Sequence, residues 1–280
     1  MPSFADRFES FDDLINQVSD KSLPTWDCHR ASQDEPDEWS GDVTVKQAVK
    51  LAEYGWKDGR DEMSNELDMA HNATSFERLP SFDYDVAGYM PNIPLYVSGC
   101  PSHMMSPLGN ESSMGRVVEF KINISATCNN QASVLRRRGA SILSLVDKLE
   151  DGGMSCMITL CEYTNATSGK GHFLIEFPIK KAGQPMDIDR CAYALVHPSM
   201  LRKLCFVLCE QQVKAQSGWS GGYGRPLDLP YHMRQGCVYF PIVDNMKMHD
   251  MESQMERTIL IYENQTQGKD WDGTDVSKDV

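Results

Sequence analysis

Basic side chains are scarce in this chain: 27 Lys and Arg stand against 40 Asp and Glu, for a formal net charge of −13 over 280 residues. That shortage argues against non-specific nucleic-acid binding through the whole surface and against docking on an anionic membrane, since both need a positive face. Long apolar runs are missing as well. No stretch approaches the roughly 20 consecutive apolar residues that a membrane helix requires. The opening MPSFADRFESFDDL has acidic residues where a secretory signal carries a basic end and an apolar core. A protein neither secreted nor membrane-spanning is expected. Hydrophobic residues form 41% of the chain, slightly few for a compact domain but well above a disordered composition. Some of the length should therefore go to loops and termini.

Cysteine is present but without pattern. The nine cysteines are odd in number, and most lie inside apolar runs such as MSCMITLCEY and LRKLCFVLCEQ, where a thiol behaves as a small buried hydrophobe. A reducing compartment fits that usage. A zinc site wants convergent, short-spaced ligand pairs; Cys205 and Cys209 in CFVLC have no second pair, so core packing is expected of them. Cys100 with His103 suggests a thiol–imidazole arrangement, but nothing supplies a third, orienting group.

Phosphate-cradling loops are lacking too. The Gly-rich GWSGGYGRP, Gly218 to Pro226, has neither the Lys-Ser/Thr of a P-loop nor the glycine spacing of a dinucleotide turn, and SGKGH, Ser168 to His172, lacks the upstream glycine. Both read as hairpin or surface loops, with Trp219 and Tyr223 as exposed contact residues.

What is present falls into four regions: an N-terminal helical region over 1–85, a Pro/Gly-rich ordered arm over 86–115, an α/β domain over 116–264 and a loose polar tail over 265–280. In the first, Ser10 caps a short helix whose apolar stripe is Phe11, Leu14, Ile15 and Val18. Asp42 or Thr44 caps a longer one, with Val45, Ala48, Val49, Ala52 and Trp56 on one face and Gly55 and Gly59 marking a bend. In the arm, Pro91, Pro94, Pro101 and Pro107 exclude a long helix or a central strand. Its many apolar residues predict an ordered loop packed across the body.

The second half has clearer periodicity. RVVEFKINIS reads as a strand, ASVLRRRGASILSLVDKLEDGG as a helix with a Gly-Gly stop, and MSCMITLCEY and HFLIEFPIK as strands. A helix around MDIDRCAYALV, a buried MLRKLCFVLCEQ and a strand in QGCVYFPIVD follow. MESQMERTILIYEN is a helix, alone or leading into a last strand. The order implies an α/β, mostly parallel, Rossmann-like sheet with helices on both faces. Arg136, Arg137 and Arg138 point about 100° apart on a helix and read as a solvated face rather than a phosphate pocket.

Residues 117–153 resemble the opening of a von Willebrand factor A-type domain. In that family the first strand ends in an Asp-x-Ser-x-Ser/Thr loop that holds a divalent cation, and a long helix ending at Gly precedes the second strand. Here the run is Asn123-Ile-Ser-Ala-Thr127. Ser125 and Thr127 match the hydroxyl ligands, while Asn123 replaces the carboxylate; Asp244 stands at the kind of strand end where the family has a supporting Asp. A neutral amide is a poor ligand for a hard cation, so Mg²⁺ is expected to bind weakly or not at all. VKLAEYGWKDGRDEM, VAGYMPNIPLYVSGCPSHMMSP and the strand and helix after them are also similar to an uncharacterised family carried mainly by tailed bacteriophages, over roughly residues 38 to 165. That family brings no activity or catalytic residues.

The expectation is a non-enzymatic viral module of the host cytoplasm that binds a viral or host protein, by analogy beside an AAA-type ATPase. It would use Asn123, Ser125, Thr127, Asp244, Trp219 and Tyr223. A virion component, or an enzyme with a Cys/His or metal site, is the alternative.

Overall fold

The computed structural model describes residues 4–20, 35–59, 81–88, 90–108, 117–127, 130–165, 171–211, 223–243 and 251–276. In chain order these give β1 (Phe4–Arg7), α1 (Phe11–Ser19), α2 (Val45–Tyr54), β2 (Ser81–Asp85), β3 (Met90–Pro91), α3 (Ile93–Val97), β4 (Met104–Leu108), β5 (Val117–Asn123) and α4 (Ala132–Asp151). Then come β6 (Ser155–Asn165), β7 (His172–Lys180), α5 (Ile188–Val196), a π-helical segment Met200–Cys205 running into α6 (Phe206–Gln211), β8 (Arg225–Pro226), α7 (Tyr231–Arg234), β9 (Val238–Phe240) and α8 (Met251–Thr266).

The main sheet has the order β1-β7-β6-β5-β9. Pairings β1/β7, β5/β6 and β5/β9 are parallel, while the β6/β7 hairpin and the short β6/β8 pairing are antiparallel. The mostly parallel α/β sheet predicted from periodicity is therefore present. β8 pairs with β6 at Thr164 and Asn165, past the last β5 partner at Cys161, so it extends the sheet beyond the end of β5.

β1 was not legible beforehand. It is four residues long and lies in a region that otherwise reads as helical, yet it pairs in register from Phe4↔Phe173 to Arg7↔Glu176. Ser10 accepts from the Asp13 amide at 3.1 Å and starts α1. Thr44, of the two cap candidates, makes a capping box with Gln47, and α2 ends at Gly55, whose φ of 83° a side chain rarely adopts.

The expected helical cover on both faces is uneven. Residues from α1, α2, α4, α5, α6 and α8 share one buried cluster with Phe120, Ile122, Ile158, Leu160, Phe173, Ile175 and Phe177. The opposite face carries the smaller cluster of Cys161, Tyr163, Leu174, Leu229 and Tyr239, with Leu227, Met233 and Trp271 against it. A hairpin joins β6 to β7 without a crossover helix, so one helix fewer is available to cover that side.

Within the helical layer, α4 and α5 meet at Gly139, where an added Cβ would lie 2.5 Å from Val196 Cγ2. Gly139→Ala should therefore destabilise the protein by about 1–2 kcal/mol, despite alanine's better helix propensity, because a β-branched neighbour is slow to give way. Urea unfolding midpoints check this; a stabilised variant would mean the helices separate freely.

The arm departs from expectation. It forms an antiparallel sheet, β2-β4-β3, with β2 from the end of the region expected to be helical, and leaves Val86, Met90, Ile93, Tyr96 and Val97 exposed rather than packed across the body. Pro107 is tolerated in the middle strand because, among the described residues, β3 reaches only Met104 and Met105, leaving Pro107 paired on one side alone. The tail also differs, being folded as far as 276. Asp270 accepts from Arg234, Lys269 bridges to Asp275, and Trp271 packs against both clusters.

Among the described residues no single helix is long and apolar enough to cross a membrane. Ile188–Val196 and Met200–Gln211 together pass on composition, but they are bent by 66° and lie in the core.

Candidate functional site

β5 and β6 run parallel and end at the same edge of the sheet, and there the predicted Asn123, Ser125 and Thr127 emerge. Asn123 is fully buried. Its Nδ2 donates to Leu227 O at 2.8 Å and to the Tyr239 hydroxyl at 3.0 Å, and its Oδ1 accepts from the Ser125 amide at 3.0 Å. The Tyr239 hydroxyl also accepts from Leu229 N and donates to Asp228 Oδ1, each at 2.9 Å. Ser125 Oγ accepts from Tyr163 N at 2.9 Å and donates to Tyr163 O at 3.3 Å, tying β5 to β6. Both side chains are thus engaged within the protein.

Arg138 completes this network and corrects the solvated-face reading for that residue. It donates to Asn123 O at 3.1 Å and to Pro241 O at 2.6 Å, and burial lowers its pKa to about 10. The resemblance assigns the hydroxyls of Ser125 and Thr127 to a divalent cation, with Asn123 where the family has a carboxylate. Asn123 Oδ1 and Ser125 Oγ are committed to protein hydrogen bonds, while Thr127 Oγ1 has no partner among the described residues, so two of the three positions do not fit a hard cation. Among the described residues no group of three or more His, Cys, Asp or Glu is placed to hold a metal.

Beside the network, on the helical face of the sheet, lies a cavity of about 390 Å³. Its floor is Ser125, Ala126 and Thr127 after β5, with Glu162 and Thr164 of β6; its walls are Trp39, Leu201, Phe206 and the stretch Tyr223–Pro226. Tyr223 is not the exposed contact expected from its Gly-rich surroundings. Its ring stacks on Phe206 at 3.8 Å and 9°, and its hydroxyl donates to Glu210 at 2.5 Å. Trp39 stands 6.0 Å from Phe206 and is held by Arg202, which lies 4.6 Å over its ring and donates to its carbonyl at 2.7 Å.

Three residues of this lining each carry a buried oxygen with no hydrogen-bond partner among the described residues: Glu162 Oε2, Thr127 Oγ1 and Thr164 Oγ1. Glu162 is only 1% exposed. Burial pushes its pKa up to about 8, and a hydrogen bond from the Cys205 thiol pulls the other way. At neutral pH it is mostly a neutral acid, able to donate or accept. Burial also raises the thiols of Cys205 and Cys209 well above the usual range, so they stay protonated and are poor nucleophiles. Their role is packing, as their apolar run implied. Cys100 and His103 belong to the arm, where the ring Nδ1 lies 2.9 Å from Cys100 O.

Thr127 and Tyr223 are thus at the cavity, and Asn123 and Ser125 build its frame. Asp244 and Trp219 lie outside the described residues. Sequence reasoning missed Glu162, Thr164, Trp39, Phe206 and Arg138. One signal was available: in the alternation Ile158–Leu160–Glu162–Thr164, a carboxyl occupies the apolar face of a strand.

A family model described as "Domain of unknown function (DUF7192)" matches residues 2–267. The chain belongs to that family. No curated protein and no solved structure matches the chain. Membership in DUF7192 covers the arm and the α/β sheet alike, since the match spans every described element from β1 through α8.

Proposed function

We propose that this DUF7192 protein is a non-catalytic binding module that recognises a partner protein through the cleft at the carboxyl ends of β5 and β6. One observation carries the reading: three residues that line one cavity, Glu162, Thr127 and Thr164, each carry a buried unpartnered oxygen, at the edge where open α/β sheets take their ligands. Buried polar groups without partners are costly, and a ligand that satisfies them offsets that cost.

The finer reading is a degenerate von Willebrand factor A-type domain of phage origin, acting in the host cytoplasm as an adaptor. Its support is the succession of β5, the Asn123–Thr127 loop, α4, Gly152-Gly153 and a parallel β6. In this proposal the metal loop has become a structural clasp that works without Mg²⁺, Asn123 and Ser125 holding the cleft in shape. An AAA-type ATPase as companion rests on family analogy alone.

The test is affinity capture of the tagged chain from infected cells, compared with Trp39→Ala and Thr164→Val. A stoichiometric companion captured by the parent and lost from both variants, which remain folded, is the expected result. Retention by both variants overturns the reading. Recovery with head or tail proteins in purified particles would make the protein a virion component.

A second reading, an enzyme, is favoured by Glu162, whose raised pKa lies in the range of general acids. Turnover of a cleft ligand that is lost in a folded Glu162→Gln variant would establish it.

A further inference from the structure

Resting on the reading of the strand-end cleft as the binding site, we infer that its ligand is a primary ammonium group on an aliphatic stem. The group is held by Glu162, Thr127 and Thr164 among the rings of Trp39, Phe206 and Tyr223. The hydrogen-bond inventory points there. An alkylammonium has three donors and no acceptor, and three residues lining the cavity each carry a buried unpartnered oxygen: Glu162 Oε2, Thr127 Oγ1 and Thr164 Oγ1. The ring faces attract cations. Leu201, Phe206 and Pro226 supply an apolar wall for the stem, and the net charge of −13 steers cations toward the protein.

Among the described residues, the charged groups around Glu162 leave it without a counter-ion of its own. From the helical segment behind it come Cys205, which donates a thiol hydrogen bond, and Cys209, which stays neutral. Arg202 is engaged with Trp39 O and Lys203 with Asp37, while Glu210 accepts from Tyr223. Arg225 on β8 is exposed at the rim. Lys121 and Glu176 pair with each other on the opposite face of the sheet.

The proton account follows. Below pH 8 the carboxyl is mostly protonated, so a cation that pairs with the carboxylate must expel that proton to solvent. Affinity should rise about tenfold per pH unit from 6 toward 8 and level off above, with close to one proton released per ligand at pH 7.

The ligand can come from two sources, a free alkylamine or a lysine side chain of the protein partner. Calorimetric titration of the full chain with n-butylammonium chloride, against 1-butanol as the neutral control, tests the chemistry at pH 6, 7, 8 and 9 in two buffers of different ionisation heat. We expect butylammonium to bind at least tenfold more tightly than butanol. Glu162→Gln, with its unfolding midpoint at pH 6 no lower than the parent's, should lose at least tenfold in affinity together with the pH dependence and the proton release. Equal binding of butanol, or a pH-independent affinity that Glu162→Gln leaves intact, overturns the inference.

The two proposals separate in the same experiments. Butylammonium that displaces the captured partner identifies a lysine as the source. Binding with the Glu162 signature while cleft variants keep their partner identifies a free amine and overturns protein recognition at this cleft. A partner lost from the cleft variants with no butylammonium binding overturns the ammonium inference alone.

Discussion

Between pH 6.5 and 8 the folded protein is expected to lose about 2 kcal/mol of stability, and Glu162→Gln is expected to abolish the loss. The carboxyl has its pKa raised by burial to about 8 from an ordinary 4.5. Across that interval the folded state holds a proton that the unfolded chain has released. Stability is therefore fully present below the unfolded pKa and falls as pH rises through the folded one. The full interval is worth about 5 kcal/mol at 1.36 kcal/mol per unit.

His197 opposes it at lower pH. Burial pushes its pKa down to about 4 from 6.5, with Nδ1 accepting from the Ser199 amide at 3.2 Å and the ring edge-on to Trp56 at 4.7 Å. Here the unfolded chain binds the extra proton, so stability is lost as pH falls below 6.5. The two slopes cancel between pH 4.5 and 6.5, and the chain should be most stable on that plateau. Urea midpoints at pH 5, 6.5 and 8 for the parent and Glu162→Gln measure both limbs. A drop from 6.5 to 8 that persists in the variant would assign it to another group.

Asn123→Asp, the substitution that would supply the carboxylate of the pattern this loop resembles, should destabilise the protein by about 3 kcal/mol or more at pH 7. Asn123 donates to Leu227 O and to the Tyr239 hydroxyl. An ionised carboxylate can only accept, so Leu227 O loses its donor. The Tyr239 hydroxyl, whose proton goes to Asp228, would have to abandon that bond. Arg138, bonded to the Asn123 carbonyl, offsets part of the charge. Chemical denaturation with and without Mg²⁺ provides the measure: the deficit should remain in millimolar Mg²⁺. Recovery of stability on adding the ion would show that the loop retains its cation geometry and that the clasp is secondary.

The candidate site was legible in part because its backbone was. An alternating strand, a hydroxyl-rich loop and a long helix closed by Gly-Gly place Asn123, Ser125 and Thr127 at a sheet edge from local sequence alone. The direction in which each side chain spends its hydrogen bonds was not local. Asn123 is satisfied by residues 104 and 116 positions away, and Arg138 reaches Pro241 across 103. No window of periodicity contains such partners. Tyr223 was singled out for its glycine neighbours, but the ring it meets, Phe206, comes from α6 and turns an expected surface contact into a cleft wall. The arm misled in the other direction. Its apolar composition suggested burial, yet its hydrogen-bonding capacity went into a separate small sheet.

Local propensity by itself determined the helix cap at Ser10, the strands β5, β6 and β7 and the mostly parallel character of the sheet, because each depends on residues a few positions apart. The choice of Thr44 over Asp42 and the end of α2 at Gly55, read from sequence as a bend, came from the structure. Composition determined the acidic surface and the burial of Cys205 and Cys209. Only the tertiary structure decided that Phe4–Arg7 is an edge strand, since a four-residue segment has no stable conformation until β7 supplies its partners. It alone placed Trp39, Glu162, Phe206 and Tyr223 around one cavity, drawing on elements far apart in the chain. Burial there sets the charge of Glu162: the same glutamate on a solvated strand face would be an ordinary anion, and desolvation makes it an acid that keeps its proton to higher pH.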